Sequence, residues 1–446
     1  MSNTIAAIAT ASGISSISIV RLSGAQAKSI AEHIAPKATF RPRYSDLTSL
    51  YNSKHEMIDH ALVVYFQNPH SFTGEDIVEF QCHGGIIVAQ EILDTLLYHG
   101  ARLAEPGEFS KRAFLNGKID LSEAEAIAKL IEAKSIDAAK ILARQLKGEL
   151  GAFVEQSREA LLRALAYSEV MIDYAEDEMP EDMLDQLMGQ LQDISSTMRR
   201  TVESSRRRRG LIEGFRVAII GKPNVGKSSL LNALLSYDRA IVSEIAGTTR
   251  DTIEEQVRIG SHVIRLIDTA GIREASDQIE QIGVERSMHS VAEADVVIAL
   301  FDGSVGFDAE DQKIVEILTA QKDKACIVAI NKSDLPRELE ISLLEPFDPI
   351  EISAKHQFQN LTTALEQRLD SIGQSDDLML ISARQIEAVE QCYREIDQAQ
   401  QPLEEGELEF FSYHLQEAVK HLSSITRPYD NEEILDKMFG EFCLGK

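Results

Sequence analysis

Gly221-Lys222-Pro223-Asn224-Val225-Gly226-Lys227-Ser228 is the stretch that decides the fold of this 446-residue chain. It has the form G-x-x-x-x-G-K-S, whose glycines let backbone N–H groups point at a phosphate. It stands between the apolar run Phe215–Ile220 and the helical run Ser229–Leu235. That context predicts a loop joining a strand to a helix in a parallel α/β sheet. Asn224, Val225, Gly226, Lys227, Ser228 and Ser229 are the candidate phosphate contacts. Lys227 brings charge to the β/γ oxygens and Ser228 a hydroxyl for Mg²⁺.

Three more apolar runs follow, Val263–Ile267, Val296–Phe301 and Cys326–Ile330, and polar loops carry the chemistry. In Asp268-Thr-Ala-Gly271 the carboxylate can hold the Mg²⁺ shell and the Gly271 amide can sense a γ-phosphate. In Asn331-Lys332-Ser-Asp334 the carboxylate can accept both N–H groups of a guanine edge, which adenine does not offer. Ser353-Ala354-Lys355 follows a last short strand and would back the base. Four motifs in this order point to GTP as the ligand. Between the first two lies Ser243-Glu-Ile-Ala-Gly-Thr248-Thr249-Arg250-Asp251, a switch loop in which Thr249 is the choice for closing over Mg²⁺. Ile272 stands where a Ras-type enzyme carries a water-orienting glutamine, so hydrolysis needs another group. Glu274, Asp277, Glu280 and Glu285 are the carboxylates within reach along the sequence.

Around this segment the texture changes. Residues 1–117 alternate short β-type runs (Ile17–Leu22, Ala61–Phe66, Ile77–Gln81) with turns and one helical run, Ile87–Tyr98, an α/β pattern. Residues 118–212 are helical. Asp120 and Glu123 form a capping-box pattern, and Leu184, Leu187, Leu191, Ile194, Met198 and Val202 fall on one stripe. Residues 213–374 are the nucleotide unit. Residues 375–446 are helical again, with Phe411, Leu415, Ala418, Leu422 and Ile425 on one face and Ile434, Leu435, Met438 and Phe442 on another. The reading is an α/β unit inserted between two parts of one helical domain.

Composition narrows the partners. Forty-five basic against 72 acidic residues leave a net charge of −27, which argues against broad binding to a nucleic-acid backbone. The run Arg206–Arg209 is the one concentrated positive patch in the sequence, read as a solvated domain junction or a local contact to nucleic-acid phosphates. Cys82, Cys326, Cys392 and Cys443 show no CxxC pairing, which suits a reducing compartment. Cys82-His83 is rejected as a metal pair, because neighbours in a strand face opposite ways. With no long apolar stretch and no basic leader, the chain reads as soluble and cytoplasmic, without a membrane contact.

The chain resembles the tRNA modification GTPase family MnmE (TrmE) over essentially its whole length. The resemblance rests on Gly247-Thr-Thr-Arg-Asp251, Asp268-Thr-Ala-Gly-Ile-Arg273-Glu274, the inserted nucleotide unit, the N-terminal module and the tail Cys443-Leu-Gly-Lys446. It implies GTP hydrolysis coupled to aminomethyl or carboxymethylaminomethyl addition at the wobble uridine of certain tRNAs. The implied partners are a flavin-containing protein, MnmG, in a heterocomplex, and a second copy of the chain in a homodimer. The N-terminal module would bind a tetrahydrofolate derivative, in the 5-formyl or methylene form, through Arg21, Glu79, Lys118 and Lys446. K⁺ would be held by Asn224, Ser243, Ile245 and Thr248. Glu280 would orient the attacking water, and Cys443 would serve the modification chemistry. One departure stands out: the loop Ala11-Ser-Gly-Ile-Ser-Ser-Ile-Ser18 lacks most of the prolines and glycines common in the family. A rival reading is a ribosome-assembly GTPase with no modification chemistry. It has no use for the N-terminal module or the tail.

Overall fold

The structure is a computed structural model that describes residues 4–11, 13–173, 181–237, 255–267, 290–321, 324–373, 377–427, 432–440, 442 and 445. They divide into two compact units. One contains Met1–Ile131, Gln145–Tyr167 and Leu415–Lys446; the other contains Glu132–Arg144 and Ser168–His414.

The first unit opens with β1 (Ile5–Ile8), β2 (Ile17–Ser23), α1 (Ala27–Ile34), β3 (Ser45–Tyr51), β4 (Met57–Phe66), β5 (Ile77–His83), α2 (Ile86–Tyr98), β6 (Arg102–Leu103) and α3 (Glu108–Leu115). Its sheet has the order β3-β4-β5-β2-β1-β6, antiparallel except where β1 meets β6. Val20, Leu22, Val78, Phe80 and Leu96 are buried in its core. The short run Ile5–Ile8 forms an inner strand, with Ile5, Ala6 and Ala7 fully buried.

Then come α4 (Leu121–Glu132), α5 (Ile136–Gln145), α6 (Glu149–Asp173), α7 (Glu181–Arg208) and α8 (Gly210–Glu213). The α4 start carries the expected capping box: Asp120 N donates to Glu123 Oε2 at 2.8 Å, and Glu123 N donates to Asp120 Oδ1 at 2.8 Å. On α7 the stripe residues Leu187, Leu191, Met198 and Val202 are buried.

The second sheet is built from β7 (Phe215–Ile220), followed by α9 (Lys227–Tyr237), then β8 (Glu255–Ile259), β9 (His262–Ile267) and β10 (Val296–Asp302). After these come α10 (Ala309–Ala320), β11 (Ala325–Asn331), β12 (Ile350–Glu351) and α11 (Gln359–Gly373). Strand order is β12-β11-β10-β7-β9-β8, parallel except for the β8–β9 hairpin. All seven residues of β10 are buried, as a central strand covered on both faces requires.

The last helices are α12 (Ala383–Glu405), α13 (Leu408–Ser423) and α14 (Glu432–Gly440). α12 packs along α7. The chain leaves and re-enters this pair at one place: Arg208 donates to the carbonyl oxygens of Asp377 and Leu378 at 2.9 and 3.3 Å, and Leu380 N donates to Ser205 Oγ at 2.9 Å. The C-terminal stripe needs correction. α14 stops at Gly440, so Phe442 lies beyond it. The helix buries Leu435 and Phe439, and the Phe442 ring returns to within 5.2 Å of Phe439.

Candidate functional site

The phosphate loop spans the six residues between Ile220, which ends β7, and Lys227, which opens α9. Asn224 at φ +61° and Gly226 at φ +104° hold left-handed backbone. Gly226 is a position only glycine fills, because an added Cβ would stand 2.2 Å from Asn331 Nδ2. Lys227 Nζ donates to the carbonyl oxygens of Gly221 and Lys222 at 2.6 and 2.8 Å. Burial pulls its pKa below the ordinary lysine value. Ser228 and Ser229 lie on the first turn of α9, and the Val225 side chain is buried beneath the loop.

The base loop begins at Asn331, the last residue of β11. Its Nδ2 donates to Val225 O at 2.7 Å, and its Oδ1 accepts from Ala354 N at 2.9 Å. One buried amide therefore joins three motifs that are far apart in sequence. Lys332 has φ +66°, and its ammonium reaches Asp302 Oδ2 at 2.5 Å. Burial pushes the Asp302 carboxyl up, but Lys332 and Ser304 outweigh this and hold it below the usual range. Asp334 is exposed, and a hydrogen bond with the buried Ser353 keeps its carboxyl low and ionised. The acceptor that a guanine edge needs is thus present beside the segment that would back the base.

Two carboxylate contributions escaped the sequence reading. Lys222 Nζ donates to Asp308 Oδ2 at 2.8 Å and to Asp311 Oδ2 at 2.6 Å. Those two aspartates form the capping box of α10, and the D-x-x-D pattern was a local signal for that helix start. Asp302, at the end of β10, had no local signal of its link to Lys332.

In the N-terminal module Arg21 and Glu79 stand directly opposite each other on β2 and β5. Arg21 Nε and Nη2 reach Glu79 Oε1 at 2.9 and 2.8 Å. The guanidinium carbon lies 5.9 and 5.7 Å from the ring centroids of Phe72 and Phe109. Lys118 is exposed and donates to Pro69 O at 3.0 Å. Gly445 abuts β1, where an added Cβ would lie 2.5 Å from Ile8 O. A cavity of about 520 Å³ in the same unit is lined by Glu75, Arg102, Glu108, Lys111 and Arg112, among others. Arg21, Glu79 and Lys118 do not line it. Cys82 is buried and His83 exposed, as opposite strand faces dictate. In the basic run, Arg206 pairs with Glu390 at 2.5 Å and Arg209 with Glu213 at 2.7 Å, while Arg208 is buried. Three of the four guanidiniums therefore have partners within this unit.

Ser243, Ile245, Thr248, Thr249, Asp268, Gly271, Glu274, Asp277, Glu280, Glu285, Cys443 and Lys446 lie outside the described residues.

Comparison with known proteins bears on both units. Residues 4–118 match the GTP-binding protein TrmE N-terminus, and residues 121–443 match the MnmE helical domain. The tRNA modification GTPase MnmE of Sulfurovum sp. (strain NBC37-1) is 68% identical over 446 residues, covering 100% of this chain and 99% of the relative. The protein of the same name from Aliarcobacter butzleri (strain RM4018) is 59% identical over 444 residues, covering 100% of this chain and 99% of its own length. That of Wolinella succinogenes is 51% identical over 445 residues, covering 99% and 98%. A phosphate loop and a base loop on a parallel sheet, an antiparallel N-terminal module and this end-to-end identity agree: the chain belongs to the MnmE family of tRNA modification GTPases.

Proposed function

We propose that this chain binds and hydrolyses GTP, and that hydrolysis serves the modification of tRNA at the wobble uridine. The observation that carries the nucleotide reading is the Asn331 side chain, which fixes the phosphate loop at Val225 and the base-backing segment at Ala354. Asp334 would accept the guanine N–H groups, and the amides of residues 224–229 would cradle the phosphates. Lys227 would bring its remaining N–H to a phosphate oxygen.

The donor set fits Mg²⁺, a hard cation that takes oxygen ligands. Ser228, Thr249 and Asp268 would hold it, and when bound it supplies positive charge between the β- and γ-phosphates. Asn224, Ser243, Ile245 and Thr248 offer oxygens suited to K⁺. Glu280 is the residue proposed to orient water, and Gly271 the amide that senses the γ-phosphate.

In the N-terminal module, Arg21, Glu79, Lys118 and Lys446 are proposed to hold a tetrahydrofolate derivative, which supplies a one-carbon unit. The contact of Gly445 with Ile8 supports this, because Ile8 pairs with Val20, the neighbour of Arg21. Cys443 would then stand near that ligand. The proposed setting is a cytoplasmic homodimer working with the flavoprotein MnmG. We divide the chain at 1–117, 118–212, 213–374 and 375–446 for these tasks. Among the described residues no helix is long and apolar enough to cross a membrane.

The test is GTP hydrolysis by the purified chain, together with nucleoside analysis of tRNA from cells lacking it. Loss of the wobble-uridine modification is expected. Unmodified nucleosides in both wild-type and deleted cells, with hydrolysis intact, would favour an assembly GTPase instead. Hydrolysis should also run faster in potassium than in sodium at equal ionic strength; equal rates would refute the cation assignment. Cys443→Ser should keep hydrolysis and lose modification, and normal modification would make Cys443 idle.

A further inference from the structure

The phosphate loop is held by residues of the nucleotide motifs and by one anchor outside them. Asn331 holds the second half through Val225 O. The first half, Gly221 to Asn224, is tied by Lys227, whose ammonium sits on the carbonyl oxygens of Gly221 and Lys222. An ammonium has three donors. Two of them rest on those carbonyls, so Lys227 reaches a phosphate oxygen with the third, and its hold on the arc is shared with the ligand once nucleotide binds.

Lys222 supplies a tie that does not depend on the ligand. Its side chain is 8% exposed and runs away from the loop into the start of α10, between Asp308, 51% exposed, and Asp311, fully buried. Asp308 Oδ1 caps the helix by accepting from Glu310 N and Asp311 N, which leaves Oδ2 for Lys222. Asp311 Oδ2 accepts from Lys222 and from Asp308 N, closing the box. Asp311 Oδ1 has no hydrogen-bond partner among the described residues. Burial works against the Lys222 charge, but the two carboxylates overcome it and hold its pKa above the ordinary value. The ammonium thus completes a closed charge-assisted cluster that joins the loop to a helix outside the four motifs.

We propose that Lys222 is a positioning residue for nucleotide binding, pinning the first half of the phosphate loop to the α10 capping box so that the loop amides stay aimed at the phosphates while Lys227 is shared between loop and ligand. This rests on the GTP reading above. The amides would contact ground state and transition state alike, so loosening the pin weakens binding more than turnover.

Lys222→Met alone would strand a buried carboxylate and destabilise the protein for a trivial reason. The informative variant is the pair Lys222→Met/Asp311→Leu, which removes both buried charges. For it, the melting temperature of the nucleotide-free protein and the dissociation constant of a fluorescent GDP analogue are measured, with KM and kcat for GTP. The expected result is a melting temperature near wild type with nucleotide affinity and KM about tenfold worse, the scale of one lost charge-assisted hydrogen bond. Lys222→Arg, whose fork can bridge both carboxylates, should restore most of the affinity. Wild-type affinity in the paired variant would overturn the proposal and leave the cluster a packing device. If the pair fails to fold, Asp308→Asn takes its place, since asparagine still caps a helix. About threefold weaker binding at unchanged melting temperature supports the pin, and unchanged binding refutes it. Wild-type protein that binds no GTP would instead sink the nucleotide reading itself.

Discussion

Arg21 and Glu79 face one another across the β2–β5 ladder with Nη2 and Oε1 2.8 Å apart, so each charge is answered before a ligand arrives. A folate pterin or glutamate tail that used either residue would have to share or open that pair. Arg21→Ala and Glu79→Ala should each weaken binding of 5-formyltetrahydrofolate at least about tenfold by calorimetry. Unchanged affinity with a lowered melting temperature would assign the pair to the sheet alone.

Gly226→Ala should abolish nucleotide binding. The new methyl would collide with Asn331 Nδ2 at 2.2 Å, in a backbone at φ +104° that alanine rarely adopts. Equilibrium binding of labelled GDP checks this, and a variant that binds normally would show the loop to be more pliant than its geometry implies.

Asn331→Ala removes a donor to Val225 and an acceptor from Ala354. Two buried backbone groups are left without partners, costing about 2 kcal/mol or more. Affinity for GTP and GDP should fall together, because the phosphate and base loops are loosened at once. A loss confined to one nucleotide would contradict the coupling.

Asp334→Asn should shift preference from guanine to xanthine nucleotides, which present the complementary hydrogen-bonding edge. The parent should reject ATP by several kcal/mol, since the exposed carboxylate is built for two N–H donors. Competition between GTP, XTP and ATP for the labelled site reads this directly.

Acid should loosen the N-terminal module through Glu108. Its side chain accepts from Arg102 Nη1 at 2.8 Å and Arg112 Nη2 at 2.9 Å. Burial pushes its pKa up, but these partners prevail and hold it below the usual carboxylate range. A carboxyl depressed by folding contributes stability above its unfolded pKa, about 4.3, and loses it as pH falls through the folded value. Glu108→Gln should therefore lower stability near neutrality by about 1–2 kcal/mol, the scale of weakened charge-assisted hydrogen bonds. It should also flatten the decline in melting temperature below about pH 4.5.

What was legible in the sequence was what is local. The G-x-x-x-x-G-K-S loop, the apolar strands β7, β9, β10 and β11, and the Asp120–Glu123 capping box each declare themselves within ten residues. What escaped was set by partners distant in sequence. Ile5–Ile8 has no alternation to mark it as a strand, and it becomes one only because β2 and β6 flank it. Arg21 meets Glu79 through a register set 58 residues away, and Lys222 meets Asp311 across 89. Phe439 is absent from the stripe Ile434, Leu435, Met438 and Phe442, because that stripe continues past Gly440, where α14 ends.

The Ser205–Leu380 hydrogen bond spans 175 residues, and that distance gives the chain a birth order. A ribosome adding about 5–20 residues per second needs roughly ten to thirty-five seconds to deliver Leu380 after Ser205. Through that interval α7 waits for α12, the helix it packs along, to be made. The segment from β7 to α11 emerges meanwhile and can complete its own sheet. Once folded, it brings the flanking chain ends together, replacing a long floppy closure with a short rigid one. The nucleotide unit is thereby an assembly jig for the helix pair that frames it, and slowing its folding should leave α7 exposed to proteases and to self-association during synthesis.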